Sequence, residues 1–294
     1  MRTENIVAFG YRKVEHAGFS WLANDEGVRF LAGVDDWSPE GLSTQKGWKC
    51  RKKRYHAVYL VQHDGRASYV IKDYPPVDNP KSALGENGNR AKKEFSNTLA
   101  AYQKSIPVVL PLAVGEWTVD RDRGVIIYPF LDKAIPLERV YNHESSSTLP
   151  NRERQRLERN VGKLLRAMVD AGAYPVDAHL DHFLALRVDG GEVPVYYIDL
   201  ERIRFSSSLW FIRIKRIKTI GRLLARLEWL RVSGGGINRA GMMRISRAFF
   251  AERGFRPLDK ELCRVVIKAA RRYWYRREFH KRGPYRLRSF NPSE

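Results

Sequence analysis

The hydrophobic pattern of this chain changes period near Leu131, and that change limits the folds open to it. Before it, apolar residues fall in short runs rich in β-branched and aromatic side chains, separated by turn signals. After it, they recur every three to four residues. A strand-rich half followed by a helix-rich half predicts an α+β architecture in two parts, 1–131 and 132–294.

In the first half, Tyr55–Val61 and Ala67–Lys72 read as strands joined at Asp64-Gly65, a strong hairpin signal. Pro75-Pro76 ends the second, and 77–89 reads as a loop. One helix is predicted, from Arg90 to about Lys104, with Asn89 as its N-cap and a stop before Ile106-Pro107. Val108–Trp117 and Gly124–Tyr128 complete the strands. In the second half, Leu157, Val161, Leu164, Leu165 and Met168 mark a helix over 151–171 that Gly172 stops. Two short strands, 183–188 and 193–199, are joined by a turn at Asp189-Gly190-Gly191. From Trp210 the chain reads as helical, with an apolar stripe through Ile214, Ile217, Ile220, Leu224 and Leu227.

The formal net charge is +20, and it is uneven. Residues 201–294 hold 25 Lys/Arg against 7 Asp/Glu, a net +18. Such a surface attracts phosphates, whether of nucleic acid, anionic lipid or an anionic glycolipid. The two cysteines, Cys50 and Cys263, offer neither a disulfide framework nor metal-ligand spacing. No secretory h-region and no membrane-length apolar run is found, so the expected location is cytoplasmic, at most resting on a membrane surface.

Four residues carry the chemistry. Lys72 sits on a strand, Glu94 on the helix 22 residues on, Asp177 in a short loop 105 residues after Lys72, and Asp199 at the end of an apolar strand 22 residues after Asp177. A strand-borne lysine paired with a helix glutamate can hold the phosphates of ATP. A loop aspartate can take a proton from an attacking hydroxyl, and a strand-end aspartate can bind Mg2+. The first three have plain alternatives: a solvated strand lysine, a charged helix face and a turn residue; Asp199 after an apolar strand is hard to explain as packing. His182 stands five residues after Asp177 and is read either as a second metal ligand beside Asp199 or as a group that orients Asp177.

The order of these parts resembles the protein-kinase-like fold, and the local motifs resemble the bacterial lipopolysaccharide-core kinases, the Kdo/heptose kinase (WaaP-type) family. The likeness rests on Asp177 with His182-Phe183-Leu184, on Ile198-Asp199-Leu200-Glu201-Arg202, on Lys72-Asp73-Tyr74 and on Glu94-Phe95-Ser96-Asn97. Leu223–Leu227 and Arg244–Phe250 add to it, so that it spans roughly 55–251. The resemblance implies a two-lobed kinase-like fold, with a β-rich N-lobe holding one helix and a mainly helical C-lobe. It implies ATP-dependent, Mg2+-requiring phosphorylation of a heptose or Kdo hydroxyl on a lipid A-core glycolipid, at the inner face of the inner membrane. Under it nucleic acid is not an expected partner. A kinase of a protein or small molecule, or a non-catalytic basic binding protein on the same frame, are the alternatives. The chain departs from ordinary kinases in three places. There is no Gly-x-Gly-x-x-Gly before Tyr55, Val176 rather than Arg precedes Asp177, and Glu201 follows Asp199-Leu200. The adenine pocket is expected near Tyr128–Leu131.

Overall fold

A computed structural model describes residues 9–45, 48–52, 56–63, 66–76, 89–119, 122–141, 149–175, 179–188, 191–208, 221–228, 230, 237–250, 264, 268, 271 and 272. The chain separates into two units. The first runs to Asp132 and also takes in Asp199–Arg202; the second comprises Lys133–Ile198 and the chain from Ile203.

The first unit is built on one seven-stranded antiparallel sheet. Its strands are β1 (Arg12–His16), β2 (Phe19–Ala23), β3 (Trp48–Lys52), β4 (Ala57–His63), β5 (Arg66–Tyr74), β6 (Ala113–Trp117) and β7 (Gly124–Pro129). Their order is β1-β2-β6-β7-β5-β4-β3. β4 and β5 pair out to His63↔Arg66, as the hairpin signal predicts, and β5 lies centrally against β7, with Lys72 opposite Ile126. β6 is shorter than the predicted 108–117, because Pro111 lacks the N–H that a ladder needs.

The single expected helix is corrected to three among the described residues: α1 (Asp25–Leu31), α2 (Pro39–Thr44) and α3 (Arg90–Gln103). At seven and six residues, α1 and α2 are too short to show an apolar period. Their caps are nonetheless regular. Asn24 Oδ1 accepts from Gly27 N (2.8 Å), and Ser38 Oγ accepts from Gly41 N (2.9 Å). Phe19, Trp21, Leu31, Trp37, Leu42, Ile71, Val125 and Ile127 belong to one buried cluster, so residues before Cys50 supply much of this core.

Helix α3 is placed by its first turn. Asn89 Oδ1 accepts from Lys92 N (3.1 Å), while Asn89 Nδ2 donates to the Arg123 carbonyl (3.0 Å). A Cβ on Gly124 would lie 2.1 Å from that Oδ1, so glycine is what lets β7 begin beside the cap.

The second unit holds α4 (Leu137–Tyr141), α5 (Asn151–Asp170) and α6 (Arg239–Phe250), with residues 221–228 also helical. Its strands are β8 (Ala134–Pro136), β9 (Ala173–Pro175), β10 (Phe183–Leu186), β11 (Val195–Tyr197) and β12 (Ile203–Phe205), forming the sheets β11-β10-β8 and β12-β9. α5 buries Leu157, Val161, Leu164, Leu165 and Met168, the residues that the three-to-four spacing selects. It packs on α6, where Arg244 Nε donates to buried Glu158 (2.5 Å). Gly172 ends it at φ 73°. Of the apolar stripe after Trp210, Leu224 and Leu227 are buried; residues 209–220 lie outside the described residues, as does most of the strongly basic C-terminal stretch. Among the described residues, no helix is long and apolar enough to cross a membrane.

Candidate active site

Lys72 lies near the end of β5, a strand ladder-bonded on both sides, so its Cα is rigidly placed. Its Nζ donates to Glu94 Oε1 (2.7 Å) and to Asp199 Oδ1 (3.3 Å). Its side chain is only 12% exposed and Glu94 is fully buried, which excludes the readings of a solvated strand lysine and a solvated helix face. Burial by itself lowers the Lys72 pKa, but the charges of Glu94 and Asp199 outweigh it and hold the ammonium well above its ordinary value.

Glu94 receives two further donors. Tyr74 Oη donates to Oε2, and Tyr128 Oη donates to Oε1 (2.9 Å). Burial, reinforced by the Glu94 charge, pushes both hydroxyls well above the usual tyrosine range, so they remain protonated donors. Tyr128 therefore turns its hydroxyl inward to Glu94.

Asp199 adopts φ 63°, in the left-handed region. Aspartate tolerates this better than most residues, yet such a conformation costs about 1–3 kcal/mol and persists only when its surroundings enforce it. Here α3 enforces it. Arg90 Nε and Nη2 make a two-pronged pair with Glu201 (2.7 and 2.8 Å), and Asn97 Nδ2 donates to the Leu200 carbonyl (2.9 Å). The Arg90 guanidinium also lies over the Tyr74 ring at 4.7 Å. Sequence reasoning missed Arg90 and Glu201, and gave Tyr74 and Asn97 no task. The spacing of Arg90, Glu94 and Asn97, which places them on one helix stripe, is the signal that contained the first.

His182 belongs to the second unit, in a 3-10 turn, Leu180–His182, that leads into β10. Its Nδ1 is 3.5 Å from the Tyr197 hydroxyl and its Nε2 is 3.8 Å from Asp181. Its carbonyl accepts from Ile198 N (2.9 Å). Asp177 lies outside the described residues.

The donor set on Asp199 suits a hard divalent cation. No cluster of three or more His, Cys, Asp or Glu able to hold a metal occurs among the described residues. Mg2+ is ordinarily held by one or two carboxylates, with phosphate and water oxygens completing its shell, so the Asp199 carboxylate beside the Lys72 ammonium fits it.

A central-strand lysine braced by a helix glutamate and facing a turn aspartate, on an antiparallel sheet joined to a largely helical unit, defines a protein-kinase-like α+β fold. The solved structure of WaaP in complex with acyl carrier protein has that fold: it is 20% identical, with a TM-score of 0.59 over 87% of this chain and 98% of that one. The Rio2 kinase–ADP/Mg2+-phosphoaspartate complex from Chaetomium thermophilum aligns at 14% identity and TM-score 0.43, over 92% of this chain and 84% of that one. No curated protein matches the chain. The model of the lipopolysaccharide kinase (Kdo/WaaP) family matches residues 50–232, and the chain belongs to that family. It is thereby a phosphotransferase of the lipopolysaccharide kinase class.

Proposed function

We propose that the protein transfers the γ-phosphoryl group of ATP to a heptose or Kdo hydroxyl of the lipopolysaccharide inner core. The observation that carries this reading is the Lys72–Glu94–Asp199 constellation in a chain of this family. Lys72, oriented by Glu94, holds the α- and β-phosphates. Asp199 holds Mg2+, which supplies charge neutralisation at the phosphates when bound. Asp177 receives or orients the acceptor hydroxyl. The contacts of His182 with Tyr197 and Asp181 support an orienting part for it; direct ligation of Mg2+ is the weaker reading, since imidazole is a poor ligand for that ion.

The acceptor is an anionic glycolipid at the inner face of the inner membrane, and the charge of the chain supports this. On α5 the acidic residues turn to internal partners: Glu153 to Arg187, Glu158 to Arg244 and Asp170 to Arg166. Arg152, Arg159 and Lys163 remain exposed at i, i+7 and i+11 on one face, without an ion pair to another described residue. Such a row suits an anionic leaflet, where each basic residue contributes about 1 kcal/mol. Replacing all three by Gln should weaken binding to phosphatidylglycerol vesicles about 100-fold at low salt, while an equal charge loss at Arg12, Lys13 and Arg29 has little effect. We extend acyl carrier protein, the partner in the solved WaaP complex, to this chain as a protein partner, testable by co-purification.

The decisive assay follows labelled γ-phosphate from ATP, with Mg2+, into core lipopolysaccharide lacking phosphate, comparing wild type with Asp177→Ala. Incorporation that the variant loses supports both reaction and base. No incorporation by a wild type that still binds Mg–ATP moves the acceptor to a protein or small molecule. Absence of ATP binding favours a basic binding protein on a kinase frame.

A further inference from the structure

We propose that Tyr74 and Tyr128 are positioning residues that fix Glu94 against Lys72, so that α3 is fastened to the Asp199 turn before any nucleotide binds. Glu94 is fully buried and accepts from three side chains, Lys72, Tyr74 and Tyr128, shared between its two oxygens. An α3 displaced far enough to release Lys72 leaves a carboxylate and two phenol hydroxyls without these partners in the interior, where unmet polar groups are costly. The Lys72 ammonium lies 5.7 Å from the centre of the Tyr128 ring, a contact that phenylalanine would keep, whereas the two hydroxyls donate to Glu94. What they do is hold the carboxylate in place when the lysine turns to a ligand.

The same stripe of α3 carries the second fastening. Arg90 and Asn97 flank Glu94 by four and three residues, and they grip Glu201 and the Leu200 carbonyl. Arg90 also stacks on Tyr74, which links the two fastenings. One helix face therefore sets both the lysine and the turn bearing Asp199. The inference is a permanently assembled phosphate-side constellation that needs no modification or partner to swing α3 into place. Its kinetic arm rests on the kinase reading given above; its exchange arm does not.

Amide hydrogen exchange is measured on the full chain for wild type, Tyr74→Phe, Tyr128→Phe and the double variant, without nucleotide. Loss of hydrogen bonds to a charged group should speed exchange across α3 about ten-fold or more in the double variant, while β6 and β7 stay as in wild type. Tyr128→Phe removes one hydroxyl only and serves if the double variant folds poorly. In wild type, Mg–ATP should leave α3 exchange unchanged. In turnover, Tyr74→Phe should lower kcat/KM about ten-fold, and should have no effect in a Glu94→Gln background. Unchanged α3 exchange in the variants, strong new protection of wild-type α3 on adding Mg–ATP, or a Tyr74→Phe penalty that persists in the Glu94→Gln background each overturns the proposal. A wild type with no phosphoryl transfer at all defeats the kinase reading and leaves the exchange test standing.

Discussion

Replacing Arg123 by Leu should be among the most damaging single changes in the first unit. Arg123 is 1% exposed and Asp73 4%. Arg123 Nε lies 3.2 Å from Asp73 Oδ1, Nη2 donates to the Trp37 carbonyl (2.7 Å), and the guanidinium lies over Trp117 at 4.8 Å. Burial raises the Asp73 carboxyl despite Arg123, so for Asp73 the pairing offsets only part of the cost of burial. Breaking it is nevertheless severe. An uncompensated buried carboxylate costs about 3–5 kcal/mol, and the orphaned Trp37 carbonyl adds about 1–3 kcal/mol. Against a total of about 5–15 kcal/mol, the variant is marginal. Replacing both residues by Leu removes the buried charge and should leave only the carbonyl penalty, about 1–3 kcal/mol. Urea unfolding followed by tryptophan fluorescence measures this directly, because Trp37 and Trp117 border the site. The deficit of Arg123→Leu should also shrink as pH falls from 7 to 5, since a lone buried carboxylate accepts a proton readily. A single variant within about 1 kcal/mol of wild type, or a double variant as poor as the single, refutes the reasoning.

Further outcomes concern pH, backbone and site. Lys72, Tyr11, Tyr59, Tyr74, Tyr128 and Tyr141 all have pKa values raised by folding, Tyr59 to about 12. Each such group lends stability that is complete below its unfolded pKa near 10 and lost as pH rises through the folded value, at about 1.4 kcal/mol per pH unit. Denaturant titrations should accordingly show flat stability on this account from pH 7 to 9.5 and a steep fall beyond pH 10. Asp199→Asn should abolish Mg2+-dependent ATP binding, measured by calorimetry, with little change in melting temperature, because Asn also tolerates φ 63°. Asp199→Ala should be less stable than Asp199→Asn by about 1 kcal/mol. Gly124→Ala should displace the Asn89 cap and cost about 1–2 kcal/mol in thermal unfolding, more than an exposed helix-cap loss alone.

Much of this fold was legible because its long elements repeat their signals. α5 shows five core positions in register, and α3 begins at the asparagine that caps it. The hairpin of β4 and β5 follows from Asp64-Gly65 and its flanking strands. α1 and α2 escaped because two turns contain too few apolar positions to display a period. At the site, residue types and order singled out Lys72, Glu94 and Asp199, which the structure brings together. The grip of Arg90 and Asn97 on the turn after Asp199 is a contact across more than a hundred residues. No local pattern announces such a pairing. The positive φ of Asp199 was equally hidden, since glycine was not there to advertise it.

The β1–β2 hairpin limits where an expressed fragment of this chain can be cut. The family-model match starts at residue 50, yet β2 hydrogen-bonds along β6 from Phe19↔Trp117 to Ala23↔Ala113. A truncation made at the family boundary strips five paired positions from β6 and removes Phe19, Trp21, Leu31 and Trp37 from the interior. What remains is an apolar strand margin open to any other chain, the usual seed of edge-to-edge aggregation. The stretch that the family model matches is thus smaller than the unit of folding. Expression boundaries drawn from the former should yield insoluble protein, however complete its phosphate-binding residues.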